Sequence, residues 1–111
     1  MTYARFIAVI LAVAISTAPA AAAPAATSTC ARELAVTETS LLKTLVRMQS
    51  VGKESASERC ETYRAHAAVV ARARDVFERC SSGAARAQDL GDMDGALDRV
   101  NGAIATACAT Q

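Results

Sequence analysis

The residues with the clearest chemistry in the sequence are four cysteines: Cys30, Cys60, Cys80 and Cys108. Cysteines can form disulfides, bind zinc or carry out thiol–disulfide exchange, and their spacing separates these uses. Zinc sites and thiol oxidoreductases place two cysteines a few residues apart, as in Cys-x-x-Cys. All the intervals in this chain are far longer than that. The spacing therefore predicts two structural disulfides rather than a redox centre or a metal site.

The N-terminal sequence predicts export to a compartment in which disulfides can form. Residues 1–25 have the pattern of a cleavable signal peptide: Arg5 is followed by an apolar run over residues 6–15 and then by small residues with Ala-x-Ala cleavage sites. The run is shorter than the roughly 20 residues that span a bilayer, and no later segment is long enough. We expect residues 26–111 to form a single exported domain with no membrane insertion, in an oxidising compartment.

Charge and composition narrow the classes of partner. Lys and Arg total 12 and Asp and Glu total 11 in the precursor, and Arg5 leaves with the leader. The mature chain is therefore close to neutral, which argues against a nucleic-acid or anionic-membrane partner. The chain is rich in Ala and Arg, with Lys only at Lys43 and Lys53. This composition indicates a high-GC bacterium, so we expect the periplasm or the medium as the destination.

The single histidine, His66, is the next candidate for chemistry. The residues three and four positions away are Thr62, Tyr63, Val69 and Val70, so its own helix offers it no carboxylate and no second metal ligand. We expect a structural role, with pH sensing as the alternative. The sequence also lacks a Ser-His-Asp arrangement, a phosphate loop and a dinucleotide motif. It therefore predicts a non-enzymatic protein with no catalytic residue and no cofactor.

An acidic cluster near the C-terminus raises the question of a metal ion. The cluster comprises Asp89, Asp92, Asp94 and Asp98, and the segment around it resembles the middle of a calcium-binding loop. The first ligand position of such a loop is Leu90, however, and the closing Glu is replaced by Asn101. We therefore expect no metal site. We interpret the acids as residues placed at a helix N-terminus, where the helix dipole favours negative charge.

A long central helix positions these residues. The stretch from Ser55 to Ser82 contains no Gly or Pro, and Ser55 with Glu58 forms a capping-box pattern at its start. Two apolar seams at three- and four-residue spacing run along it, which predicts two helical neighbours. The first seam comprises Cys60, Tyr63, Ala67, Val70, Arg74 and Phe77. The second comprises Thr62, His66, Val69, Ala73, Val76 and Cys80.

Two further helices flank the central one. The first is predicted over residues 30–50, with Gly52 as its stop. Its apolar stripe comprises Leu34, Leu41, Leu45 and Met48, widened by Leu42 and Val46. The third is predicted to begin between Arg86 and Asp92 and to end near Cys108. Its stripe comprises Leu90, Met93, Leu97, Val100, Ile104 and Ala107. Glycines at 91, 95 and 102 weaken this helix by about 1 kcal/mol each relative to Ala.

Helix geometry selects one disulfide pairing out of three. Cys60 and Cys80 cannot pair, because 20 residues of helix separate them by roughly 30 Å. In an up-down-up bundle the start of the first helix lies beside the end of the second, which pairs Cys30 with Cys80. The start of the second lies beside the end of the third, which pairs Cys60 with Cys108. The fold predicted is an all-α three-helix bundle stapled by these two disulfides.

The two disulfides also allow positions along the bundle axis to be compared between helices. If the two cysteines of each disulfide lie at the same height on this axis, Glu38 and Asp94 both lie near the height of Arg74 on the central helix. Glu38 and Arg74 also interrupt apolar seams. We therefore expect a charged layer in the middle of the bundle, in which Arg74 bridges Asp94, Glu38 or both. Such a layer would fix register more than it adds stability.

These features predict a binding or interaction module of the cell envelope, with an unidentified protein or small ligand as partner. In size, export and helical content the chain is similar in a general way to small acid-activated periplasmic chaperones, which gives an acid- or stress-responsive chaperone as the first alternative. Two disulfides would oppose the opening on which such chaperones depend. A metal-binding protein that uses His66 with the acidic cluster is a further alternative.

Overall fold

The computed structural model describes residues 28–109, and these form an all-helical fold with no strand. Helix α1 covers Ser28–Gln49, α2 covers Ala56–Cys80 and α3 covers Gly83–Ala107. A short 3-10 helix, Val51–Lys53, lies between α1 and α2. The prediction of an all-α chain with three helices is thus confirmed. The predicted signal peptide, residues 1–25, lies outside the described residues.

Helix α2 begins at the predicted capping box. The Ser55 hydroxyl accepts a hydrogen bond from the Glu58 backbone N–H at 3.2 Å, and the Glu58 carboxylate accepts one from the Ser55 backbone N–H at 2.9 Å. These bonds stabilise the ionised carboxylate and lower the pKa of Glu58, with the backbone N–H of Ser55 as the larger cause. The reciprocal contacts satisfy two N–H groups that have no partner within a helix.

The turn between α2 and α3 is shorter than the sequence predicts. Helix α2 ends at Cys80 with Ser81 as its C-cap, and Gly83, with a φ of +61°, already begins α3. Glycine has no Cβ and adopts such a φ at no steric cost, which explains its position in this tight reversal. Because α3 starts at Gly83, its first turn contains no acidic residue. The interpretation of Asp89 and its neighbours as acids at a helix N-terminus was therefore wrong.

Helix α2 lies at the centre, and each of its ends is tied to a different neighbour. Cys30 at the start of α1 is bonded to Cys80 at the end of α2, with a Cα–Cα distance of 5.2 Å. Cys60 near the start of α2 is bonded to Cys108 just after α3, at 5.1 Å. These are the two pairs that helix direction predicts. Within the described residues, α1 and α3 both pack on α2 and make no close backbone contact with each other.

The buried core belongs mostly to α2. Its buried residues are Cys60, Thr62, His66, Val70, Ala73 and Phe77. Helix α3 contributes Val100 to the same core. The seam that contains Cys60 faces α3, and the seam that contains Cys80 faces α1, because each disulfide fixes the direction of its seam. Helix α2 is therefore the scaffold on which the other two helices are mounted.

Helix α1 packs on α2 with a different face from the one predicted. Its buried residues are Thr37 and Thr44, whereas Leu42 and Val46 are 64% and 62% exposed. Seven residues are about two helical turns, so Cys30, Thr37 and Thr44 share one side of α1. The disulfide turns that side towards α2, which rotates much of the leucine and valine stripe into solvent. The predicted burial of Leu42 and Val46 was therefore wrong.

Candidate functional site

An apolar groove opens between α1 and α3, with α2 as its floor. Its volume is about 390 Å³. It is lined by Leu41, Leu45, Met48, His66, Val70, Met93, Ala96, Arg99, Val100 and Ala103. Ligand sites in proteins are typically concave, largely apolar and a few hundred Å³ in volume, with a small number of polar groups that fix orientation. The groove has each of these properties.

The groove exists because α1 and α3 stand apart on α2. A closed three-helix bundle would place the leucines of α1 against α3, but the disulfide at Cys30 turns threonines inward and leaves Leu41 and Leu45 on one wall. On the opposite wall, Ala96 and Ala103 leave space that larger side chains would fill. Met48 and Met93 are flexible and polarizable, so they adapt to occupants of different shape.

His66 lies on the floor of the groove and is held by α1. Its side chain is buried, and its Nδ1 lies 3.0 Å from the Thr44 hydroxyl oxygen. Burial disfavours the charged imidazolium and lowers the pKa of His66 below its ordinary value of about 6.5. The neutral imidazole is therefore the form that the fold stabilises.

We expect acid to destabilise the protein through His66. Since the folded-state pKa is depressed, the unfolded chain takes up a proton first as the pH falls below about 6.5. The free energy of unfolding then decreases, and this decrease ends once the pH is below the folded-state pKa. Urea unfolding at a series of pH values between about 7.5 and about 5 measures this loss.

The matched control for this prediction is His66→Gln, which retains an amide that can bond Thr44 but does not titrate. The difference in unfolding free energy between the natural protein and this variant should be constant above neutral pH. In acid, the natural protein should lose stability relative to the variant. Parallel pH profiles for the two proteins would contradict the assignment.

Arg99 supplies a positive charge at the rim of the groove. Its guanidinium lies along α3 over Gly95, where an added Cβ would be 3.4 Å from a terminal nitrogen. Within residues 28–109, no carboxylate lies within ion-pair distance of Arg99. An unpaired guanidinium beside an apolar groove can bind a carboxylate or another anion through charge-assisted hydrogen bonds. The arrangement therefore favours an apolar molecule with a negative end.

The predicted charged layer is only partly assembled. Arg74 Nε donates to Asp94 Oδ1 at 2.5 Å, and Arg74 also pairs with Glu78 at 3.3 Å. The hydrogen bond to Asp94, followed by the charge of Asp94, raises the pKa of Arg74. Glu38 is exposed and is not part of this cluster, because equal level on two helices does not determine which way a side chain points. The Asp94 side chain is 52% exposed, so solvent screens the pair.

The acidic cluster does not converge on one point. Asp89 accepts a hydrogen bond from the Ser81 hydroxyl at 3.2 Å, Asp94 pairs with Arg74, and Asp92 and Asp98 are exposed. The segment that resembles a calcium loop is continuous helix within α3. Elsewhere, Glu33 lies close to the sulfurs of Cys30 and Cys80. Those sulfurs are joined in a disulfide, so they lack the thiolate that binds zinc.

A second groove of about 330 Å³ runs along the other side of α1. It is lined by Arg32, Glu33, Val36, Thr37, Ser40, Val69, Arg72, Ala73 and Val76. Charged side chains of both signs take part in its lining, and Glu33 is already paired with Arg79 at 2.9 Å. The apolar groove between α1 and α3 is therefore the better candidate for a binding site.

Comparisons with known proteins add no relative: no family model, no curated protein and no solved structure matches the chain. Across the described part of the chain, no helix is both long enough and apolar enough to span a bilayer. The two disulfides indicate an oxidising environment outside the cytosol.

Sequence reasoning missed two residues of the site. Thr44 was not recognised as the partner of His66. The antiparallel alignment of α1 and α2 that sets Cys30 beside Cys80 also sets residue 44 beside residue 66, so this contact could have been predicted. Arg99 was not recognised because the bundle was expected to be closed, with no groove for a cation to border. The role of Thr44 could have been found from the sequence, whereas the role of Arg99 depends on the separation of α1 and α3.

Proposed function

We propose that the protein is a non-enzymatic binding module of the bacterial cell envelope that holds a small amphipathic anion in the apolar groove. The observation that carries this proposal is the combination of an apolar groove with a guanidinium at its rim, neither of which has a partner among the described residues. The signal peptide predicted from the sequence and the two disulfides support a periplasmic or secreted location.

The dimensions of the groove support an apolar tail of medium length. Its α3 wall extends from Met93 to Ala103, which is about 15 Å at 1.5 Å per helical residue. A volume of about 390 Å³ lies at the small end of the range for ligand sites, which is typically about 300–1,000 Å³. Such a groove fits one alkyl chain better than it fits a helix of another protein, whose side chains would need a wider trough.

Arg99 supports an anionic head group. It borders the groove near its middle, so a carboxylate bound there would leave the apolar tail against Leu41, Val70 and Val100. His66 on the floor is neutral at physiological pH, because burial lowers its pKa, and it does not add a second charge. Selectivity between anionic and cationic ligands should therefore depend on Arg99 alone.

Calorimetric titration of the oxidised mature chain with dodecanoate, below its micelle concentration, tests this proposal. Dodecyltrimethylammonium has the same tail with the opposite charge, and we expect it to bind at least tenfold more weakly. Arg99→Gln should weaken dodecanoate binding about tenfold, equivalent to about 1.4 kcal/mol, and should abolish the discrimination between the two probes.

A groove-filling variant supplies the steric test. Ala96→Trp places an indole inside the groove and should abolish binding of dodecanoate. The control is Ala105→Trp, an equally large change at an exposed position of the same helix, which should leave binding unchanged. Equal binding of both probes by the natural protein, or unchanged binding in Ala96→Trp, would contradict the proposal.

An acid-responsive chaperone is the second candidate, and the buried His66 favours it because protonation of a buried imidazole is expected to weaken the fold at that residue. Chaperone activity by this route requires apolar surface to open. The disulfides hold both ends of α2 and restrict that opening. An apolar dye that gains fluorescence with the oxidised protein on acidification, and not with His66→Gln, would favour the chaperone over the ligand-binding module.

A further inference from the structure

The outer side of α1 carries an apolar surface that no other part of residues 28–109 covers. The four most exposed large hydrophobic residues of the described chain all belong to this helix: Val36, Leu42, Leu45 and Val46, each more than half exposed. Leu42, Leu45 and Val46 adjoin one another: Leu42 and Val46 lie on the side away from α2, and Leu45 lies at the edge of the apolar groove. Val36 lies on a different side, where it lines the second groove.

This surface contains a self-complementary seam. Glu38, Leu42, Leu45 and Gln49 follow one another at intervals of four, three and four residues, which places them on one face of α1. We name these four residues the outer seam. Read from either end, the seam has a polar residue, a leucine, a leucine and a polar residue. Its midpoint lies between residues 43 and 44.

We propose that two copies of the chain associate through the outer seams of their α1 helices, packed antiparallel about a two-fold axis. A two-fold interface requires a surface complementary to itself, because each residue meets a different residue of the same surface. About the midpoint of the seam, Leu42 of one copy packs on Leu45 of the other. The two leucine pairs form an apolar centre.

The polar ends of the seam fix the direction of the pairing. In the antiparallel arrangement Glu38 lies opposite Gln49 of the second copy, whose amide can donate a hydrogen bond to the carboxylate. In a parallel arrangement Glu38 would face its own equivalent, and two carboxylates would be held together. Glu38 forms no ion pair within residues 28–109, so its carboxylate is available for this contact.

This inference is independent of the proposed function, because Glu38, Leu42 and Gln49 do not line the apolar groove. Only Leu45 belongs to both surfaces, at the edge that they share. Four seam residues on each copy form an interface far smaller than that of a standard stable complex, so we expect a weak, reversible dimer whose population rises with concentration. The groove could therefore function in the monomer, and the dimer could form without a ligand.

Sedimentation velocity of the oxidised mature chain, over a concentration series that spans the micromolar range, tests the dimer. Leu42→Glu places a carboxylate in the apolar centre and should raise the dissociation constant at least a hundredfold. Val36→Glu is the matched control, since Val36 is on the same helix and 59% exposed but lies outside the seam. A chain that is monomeric at every concentration, or a dimer unchanged by Leu42→Glu, would overturn the proposal.

Gln49→Arg tests the direction of pairing. Opposite Glu38 the new cation forms two symmetric ion pairs per dimer, and we expect roughly five- to tenfold tighter association at low salt. In a parallel dimer the same substitution would bring two cations together and weaken association. Sedimentation velocity measures whether Gln49→Arg strengthens or weakens association, and weaker association would overturn the antiparallel arrangement.

Discussion

Removal of the Cys60–Cys108 disulfide is expected to lower the free energy of unfolding by about 4 kcal/mol. The bond closes a loop of 48 residues, for which the chain-entropy model gives a stabilisation of this size. Small domains are stable by only about 5–15 kcal/mol, so the loss approaches the whole stability of a chain with a core this small. The variant Cys60→Ala with Cys108→Ala should therefore unfold partly at physiological temperature.

Helix α3 depends on its disulfide more than α1 does, because α3 has a weak helical sequence and little buried surface. Three glycines, Gly91, Gly95 and Gly102, weaken the helix, and Val100 is its only buried residue among those described. Cys60 itself is 2% exposed, so its removal also disturbs the core. Without the covalent tie, α3 should separate from α2 before α1 does, and the apolar groove should lose one wall.

The control for this prediction is the other disulfide, removed as Cys30→Ala with Cys80→Ala. That bond closes a similar loop of 50 residues, but Cys80 is only partly buried. We expect both variants to be destabilised in urea titrations followed by circular dichroism, and the variant without Cys60–Cys108 to lose more. A loss below about 1 kcal/mol for either variant would contradict the role of the disulfides as staples.

The second large effect is expected at Phe77, the largest buried side chain of α2. Phe77 is 8% exposed and lies near the end of α2 at which the chain reverses into α3. Phe77→Ala should lower the free energy of unfolding by about 3–5 kcal/mol, because it removes buried apolar surface and leaves a cavity. The rest of the core consists largely of Val, Ala and Thr, which cannot expand to fill that space.

Tyr63→Ala provides the comparison for Phe77→Ala. Tyr63 is the other aromatic residue of the described chain and lies on the same predicted seam, but it is only partly buried. Its truncation should cost less than half as much in urea unfolding measured under identical conditions. Equal losses for the two variants would show that the core is not centred on Phe77.

The sequence was sufficient for the architecture because a few residues constrain it strongly. The capping box at Ser55 locates the start of α2, and its uninterrupted length excludes the Cys60–Cys80 bond. Counting from Cys60 and Cys108 also places Arg74 level with Asp94, and the structure joins these two residues. Positions along the helix axes could therefore be deduced from the cysteines and the direction of each helix.

Rotation of the helices about their axes could not be deduced in the same way. Hydrophobic periodicity selected the leucines of α1 as its buried face, whereas the Cys30–Cys80 bond buries Thr37 and Thr44. Threonines are small enough to let α1 approach α2, and Thr44 has a partner in His66. A covalent constraint prevailed over the apolar pattern, and both the groove and the outer seam follow from it.

The most direct test of the account is to locate the ligand on the oxidised protein. Backbone amide spectra recorded during titration with dodecanoate should shift at groove residues on α2 and α3, above all at Val70, Ala96 and Ala103. Leu42 and Val46 should remain unchanged. Absence of shifts at saturating dodecanoate, or shifts confined to Leu42 and Val46, would show that the groove between α1 and α3 is not the binding site.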